Sequence, residues 1–109
     1  MSWRAKSHWG SCVWALIHTI TVIDYDEPQS QLHFVKQTLE RLQTIESFIL
    51  CKYCANHYRE YLEKLDKEEV MKPMRLFEYM VDFHNQVNKK LNKPEMSLEE
   101  AKELWAKRV

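Results

Sequence analysis

One glycine, Gly10, serves a chain of 109 residues. Average usage of about 7% would supply roughly eight. Tight hairpins, phosphate-binding loops and dinucleotide turns need glycine wherever φ must be positive. A chain with one glycine therefore has little access to hairpin-rich or glycine-loop nucleotide folds, and helices are what remain. Four tryptophans, five tyrosines and four phenylalanines accompany that shortage. The pairing suggests a helical domain with large flat side chains, packed around something flat. Lys plus Arg balance Asp plus Glu at 16 each, so the chain has no overall electrostatic footprint for nucleic acid or anionic lipid. No apolar run approaches the ~20 residues that span a bilayer. The length suits one domain, residues 1–109.

Periodicity divides the chain into helical blocks. Ser7 to Val22 has the pattern of a buried helix through Val13, Trp14, Ile17 and Ile20. Asp24-Tyr25-Asp26-Glu27-Pro28 is a break. From Gln31 to Ile45, Leu32, Val35, Leu39 and Leu42 mark a second, amphipathic helix. Ser47 to Leu50 is short and apolar and leads into a third helix, Cys51 to Leu65. Pro73 suits the first turn of a fourth, which continues to Leu91 and ends at Asn92-Lys93-Pro94. Ser97-Leu98-Glu99-Glu100 is a capping box that opens a short fifth helix through Leu104 and Trp105. No strand alternation appears. The expected fold class is all-α, a four-helix bundle plus a short fifth helix.

The cysteines are Cys12, Cys51 and Cys54. Three cannot staple a secreted scaffold, and the C-x-x-C pair points to redox chemistry or to half a metal site. At a helix start, backbone N–H groups and the dipole stabilise a thiolate, and Lys52 adds positive charge. Such a pair closes a small disulfide and exchanges it with a substrate dithiol. The competing reading is a zinc site completed by His57 and His84. Haem attachment would need histidine where Ala55 stands. Cys12 reads as a small buried apolar residue.

Two helices carry further polar constellations. Gly10, Trp14 and His18 fall at i, i+4 and i+8 and share a face of the first helix. A planar ligand could lie against the backbone at Gly10, although helix packing and an ordinary core would use the same residues. On the fourth helix, His84, Asn88 and Leu91 share a face and Asn85 flanks it. Two asparagines in a helix interior need a reason, because asparagine is a poor helix former. Lys89, Lys90 and Lys93 follow; they either meet a ligand's phosphates or complement the helix dipole.

In order, His8-Trp9-Gly10, Trp14, His18, Cys51-x-x-Cys54-Ala55-x-His57, His84-Asn85-x-Val87-Asn88-x-x-Leu91-x-Lys93-Pro94 and Trp105 form one ordered set. This set resembles the Erv/ALR family of FAD-linked sulfhydryl oxidases, across nearly the whole chain. The resemblance implies FAD held at the mouth of the bundle. Gly10, Trp14 and His18 would contact the cofactor from the first helix. Cys54 would lie beside the flavin, and Cys51 would exchange with incoming thiols. His57, His84, Asn85, Val87, Asn88, Leu91 and Lys93 would line the adenosine and phosphate side, and Trp105 would close the pocket.

The implied activity forms disulfides in protein or small-molecule dithiols. Electrons pass from the cysteine pair to FAD and then to molecular oxygen, giving hydrogen peroxide. A homodimer through the first two helices is also implied. Two positions depart from the family pattern: Ser11 stands where many members carry Arg, and Leu91-Asn92-Lys93-Pro94 replaces the usual L-G-K-P. There is no second, shuttle cysteine pair, so Cys51 would meet substrate directly. In length and opening motif the chain is most like the compact enzymes of large DNA viruses. That implies host cytoplasm or virion; a cellular member would sit in the mitochondrial intermembrane space. The alternatives from other classes are a zinc-stabilised helical interaction module and a flavin-free dithiol adaptor.

Overall fold

The computed structural model describes residues 6–22, 28–49, 51–72 and 74–106. The break at 24–27, Leu50 and Pro73 lie outside these residues, as do the side chains of His8, Trp9, Ser11 and Leu32. Four helices and a short fifth account for most of the rest: α1 Lys6–Thr21, α2 Pro28–Ile45, α3 Lys52–Glu63, α4 Arg75–Lys90 and α5 Leu98–Ala101. Among the described residues there is no strand, and no helix is long and apolar enough to cross a membrane.

The core follows from helical spacing. Ile17 of α1, Val35, Leu42 and Ile45 of α2, Tyr58 of α3, and Leu76, Met80 and Phe83 of α4 form one buried cluster, with Val70 from the turn Glu69–Met71. On α4, Leu76, Met80, Phe83 and the half-buried Val87 recur every three or four residues, which makes a continuous inward stripe. A second cluster of Phe77, Val81 and Ala101, with Met96, Leu98 and Trp105 against it, fastens α5 to α4. Two tyrosines tie α3 down through their hydroxyls. Tyr58 donates to the Leu42 carbonyl at 2.5 Å, and Tyr61 donates to the Tyr79 carbonyl at 2.9 Å.

The boundaries differ from the sequence reading for local reasons. Helix α2 begins three residues early, at Pro28, because proline is tolerated where the first N–H has no helical partner. Helix α4 begins at Arg75, after Lys72 is held extended ahead of proline and Met74 turns left-handed at φ 61°. Ser97 caps the helix as expected: the Glu100 N–H donates to Ser97 Oγ at 3.1 Å. The return bond differs from a full capping box, because the Glu100 carboxylate accepts the Ser97 hydroxyl at 3.1 Å. Helix α5 is shorter than the pattern implied, and Lys102–Ala106 continue as a π-type turn that carries Trp105.

The end of α4 shows how a chain with one glycine makes a left-handed cap. Asn92 takes φ 56°. The Lys93 N–H donates to the Asn88 carbonyl at 2.8 Å, and the Asn92 N–H to the Lys89 carbonyl at 3.3 Å. These two bonds are the Schellman pattern that usually ends on glycine, and asparagine is the next best residue for that conformation.

Cys12 corrects an expectation. It is exposed, not buried. Val13, Trp14, Ile17 and His18 turn inward, so Cys12 falls on the outer side of α1 with Leu16, itself 46% exposed.

Candidate active site

Cys51 is the N-cap of α3, in extended conformation at φ −85°, and the helix proper starts at Lys52. Its sulfur accepts the Cys54 backbone N–H at 3.3 Å, the bond that a capping oxygen would ordinarily take. An N–H and a helix N-terminus directed at sulfur favour its thiolate form. Helical geometry returns Cys54 to the same side, with its Sγ 2.6 Å from Cys51 Sγ. A disulfide needs about 2.05 Å between sulfurs, so the two sulfurs stand close to bonding distance.

One turn beyond Cys54, His57 packs its ring against Phe83 of α4, with centroids 5.1 Å apart. Burial, then the charges of Lys90 and Lys64, hold His57 below the usual imidazole range, with Glu60 opposing. Phe83 also touches Tyr58, Tyr61 and, from α1, Trp14 at 5.7 Å. It is therefore a ring that touches both the cysteine-bearing helix and α1. Phe83 is a site residue that the polar pattern of α4 does not mark. Its place in the spacing Leu76, Met80, Phe83, Val87 was the available signal.

Beyond Phe83 lies a stack of rings from three elements. Trp14 and His84 lie face to face, centroids 3.8 Å apart and planes within 9°. His18 stacks beside Trp14 at 5.8 Å and approaches Trp105 at 5.4 Å. His18 Nε2 and His84 Nδ1 share a hydrogen bond of 3.0 Å. Burial lowers both histidines to about 4; their mutual repulsion adds to this at His18, and the charge of Lys93 at His84. At neutral pH the pair is uncharged, so one ring donates and the other accepts.

Three features leave room for a ligand. His18 is 1% exposed, yet its Nδ1 has no hydrogen-bond partner among the described residues. A buried polar atom without a partner is costly and uncommon. At Gly10, a Cβ added to the backbone would meet nothing within 4 Å among the described residues. Lys93 places positive charge close enough to be felt at His84. An unfilled polar atom, a bare stretch of helix backbone and a nearby cation fit a flat, anionic cofactor. Trp14 and His84 cover one another's faces.

The expected residues divide into groups. Trp14, His18, His84 and Trp105 meet in the stack, with Gly10 one turn before Trp14 on the same face. Asn85 and Asn88 face the loop instead. Asn85 grips Met96 at both ends of its amide: Nδ2 donates to the Met96 carbonyl at 2.6 Å, and Oδ1 accepts the Met96 N–H at 2.8 Å. Asn88 Nδ2 donates to the Pro94 carbonyl at 3.3 Å. Val87 packs on the core, while Leu91 and Lys93 are exposed on the loop so held. The zinc reading needed Cys51, Cys54, His57 and His84 together. Here His84 stacks on Trp14 and His57 packs on Phe83, and no group of three His, Cys, Asp or Glu converges for a metal among the described residues.

Comparison with known proteins bears on the family. The model of the Erv1 / Alr family matches residues 11–106. A protein of Invertebrate iridescent virus 3, named as a candidate FAD-linked sulfhydryl oxidase, is 30% identical over 90 residues, which cover 82% of this chain and 60% of that protein. The FAD-linked sulfhydryl oxidase ERV1 of Oryza sativa subsp. japonica is 29% identical over 102 residues, 94% of this chain and 51% of the rice protein. The FAD-linked sulfhydryl oxidase of a Kenyan African swine fever virus isolate is 32% identical over 111 residues, 94% of this chain and 83% of the viral enzyme. The chain thus spans between half and two thirds of the first two relatives and most of the third. No solved structure gives a significant match.

Proposed function

This chain belongs to the Erv1 / Alr family, and from that premise we propose that it is a FAD-dependent thiol oxidase that forms disulfides in dithiol substrates. The observation that carries the reading is the pairing of two ends. A helix-capping cysteine pair with sulfurs 2.6 Å apart is joined through His57 and Phe83 to a ring stack holding an unpartnered buried nitrogen.

The thiol chemistry follows from the pair. With Cys51 and Cys54 joined as a disulfide, a substrate thiolate attacks Cys51 Sγ. The Cys51–Cys54 bond breaks, its electron pair goes to Cys54, and a mixed disulfide forms. A second substrate thiolate attacks the substrate sulfur of that bond and releases Cys51 as a thiolate. Substrate loses two electrons and two protons, and the cysteine pair gains the electrons. The Cys54 N–H and the α3 N-terminus stabilise the departing Cys51 thiolate. FAD held beside Cys54 would supply the two-electron acceptor for the reduced pair, with oxygen as the final acceptor and hydrogen peroxide as the product.

The cofactor-binding residues take distinct parts in this proposal. Gly10, Trp14, His18, His84 and Trp105 contact the flat rings, with His18 Nδ1 as an open polar partner. Cys54 and His57 border the flavin end. Lys93 faces the phosphates, with Leu91 beside it. Asn85 and Asn88 act as positioning residues that hold the 91–97 loop, and Val87 seats α4 on the core. The test is oxygen uptake with dithiothreitol. Wild type consumes oxygen, whereas Cys51→Ser keeps its flavin and loses at least about a thousandfold in rate, as removal of a nucleophile commonly does. Undiminished turnover by Cys51→Ser would reject the assignment.

The dimer belongs to the same proposal. An open cleft of about 450 Å³ runs between α1 and α2, lined by Leu16, Ile20, Ile45 and Phe48, with Glu40 and Arg41 on its rim. Exposed apolar surface bordered by both signs of charge suits a two-fold interface. Light scattering should give twice the 13.3 kDa chain mass, and a single-chain mass would count against it. Two of the compared relatives are viral, which supports action in host cytoplasm or virion.

A further inference from the structure

The surface beside the cysteine pair has a chemical bias that thiol exchange alone does not require. Tyr53 stands between the two cysteines in sequence and is 69% exposed, so it supports no core. Lys90, at the end of α4, brings its Nζ over the Tyr53 ring, 6.0 Å from the centroid. Complementing the α4 dipole accounts for the sign of Lys90. It does not account for its position over a ring of another helix. Lys52, adjoining Cys51, is exposed. The next ring along, His57, lies 6.4 Å from Tyr53, and the charges that reach it are Lys90 and Lys64 against Glu60. Glu46, on the turn before Cys51, is paired with Arg59 at 3.4 Å. The whole chain is neutral, but this face is positive around an exposed aromatic ring.

We infer that Tyr53, Lys52 and Lys90 form a docking face for protein substrates whose cysteines are flanked by acidic side chains. The inference rests on the reading of Cys51 as the exchanging sulfur. An incoming segment lays its backbone on the Tyr53 ring, its carboxylates meet Lys52 and Lys90, and its thiol reaches Cys51. Charges at the rim of an interface act mainly on encounter and weaken with salt. A small uncharged dithiol does not use this face.

The test compares three substrates on the FAD-loaded wild-type enzyme: dithiothreitol, a dithiol peptide with glutamates beside its cysteines, and the same peptide with lysines. At low salt, kcat/KM for the acidic peptide should exceed that for the basic one by about tenfold, the lower end of electrostatic steering. The ratio should shrink in high salt. The double variant Lys52→Glu, Lys90→Glu should invert it, and because the ratio is taken within one protein, any general change in activity cancels. Tyr53→Ser should raise KM for both peptides relative to dithiothreitol. Equal kcat/KM for the two peptides at low salt, with dithiothreitol turned over, would overturn the docking face and leave the oxidase reading standing. Failure to oxidise any of the three would overturn both.

Discussion

The two ends of the site are built by opposite rules. At the ring stack, Trp14, His18, His84 and Trp105 come from three elements, the histidines are held neutral, and the central nitrogen is sealed from water. At the cysteine end, one helix turn supplies both sulfurs, and the neighbours Lys52 and Tyr53 are exposed. Burial keeps water from the ring stack, whereas exchanging disulfides with another molecule calls for an accessible nucleophile. Phe83 touches both worlds, with Trp14 on one side and His57 on the other. The difference shows that burial sets the two ends of this small bundle apart, with Phe83 in contact with both.

The largest way to break this division is at Phe83. Phe83→Ala should destabilise the protein by about 3–5 kcal/mol, the usual cost of removing a buried phenylalanine. Urea denaturation checks it. Phe83→Leu keeps most of the volume and should cost less than about 2 kcal/mol. A Phe83→Ala loss under about 1 kcal/mol would show that the two ends do not meet through this ring.

The next is pH. Burial lowers His18 and His84 to about 4, while the same groups in the unfolded chain titrate near 6.5. Between those values the unfolded chain binds more protons than the folded one. Stability from this pair is therefore complete above about pH 6.5 and is lost as pH falls toward 4. Denaturation midpoints should decline across that window, and the decline should be shallower in His84→Asn. An unchanged slope in that variant would mean that His84 is not buried as described.

The smallest effect lies at the loop that borders the stack. Asn92 holds φ 56° at the α4 cap, so Asn92→Ala should cost about 1 kcal/mol, while Asn92→Gly should be neutral or slightly stabilising. Thermal melts distinguish the two. Equal melting for alanine and glycine would remove the left-handed cap from the account.

Helix types and order were legible because periodic apolar residues carry them, and Gly10, Trp14 and His18 fell on one face by spacing alone. Other features depended on contacts that spacing does not encode. Asn85 read as a ligand contact, yet its amide is committed to Met96, eleven residues away across a loop. Cys12 read as buried because cysteine usually is, but its neighbours Val13 and Trp14 had already claimed the inward face. Phe83 sat beside more conspicuous polar residues. The meeting of Trp14 with His84 joins helices 70 residues apart and follows from tertiary packing of α1 on α4.

The most direct test of the central claim is the visible spectrum of the purified protein, followed by titration with FAD. The account predicts a flavin absorption band and one FAD per chain, with Gly10→Leu folded but colourless because its side chain fills the open backbone face. A fully folded wild-type protein that is colourless and rejects added FAD would contradict it.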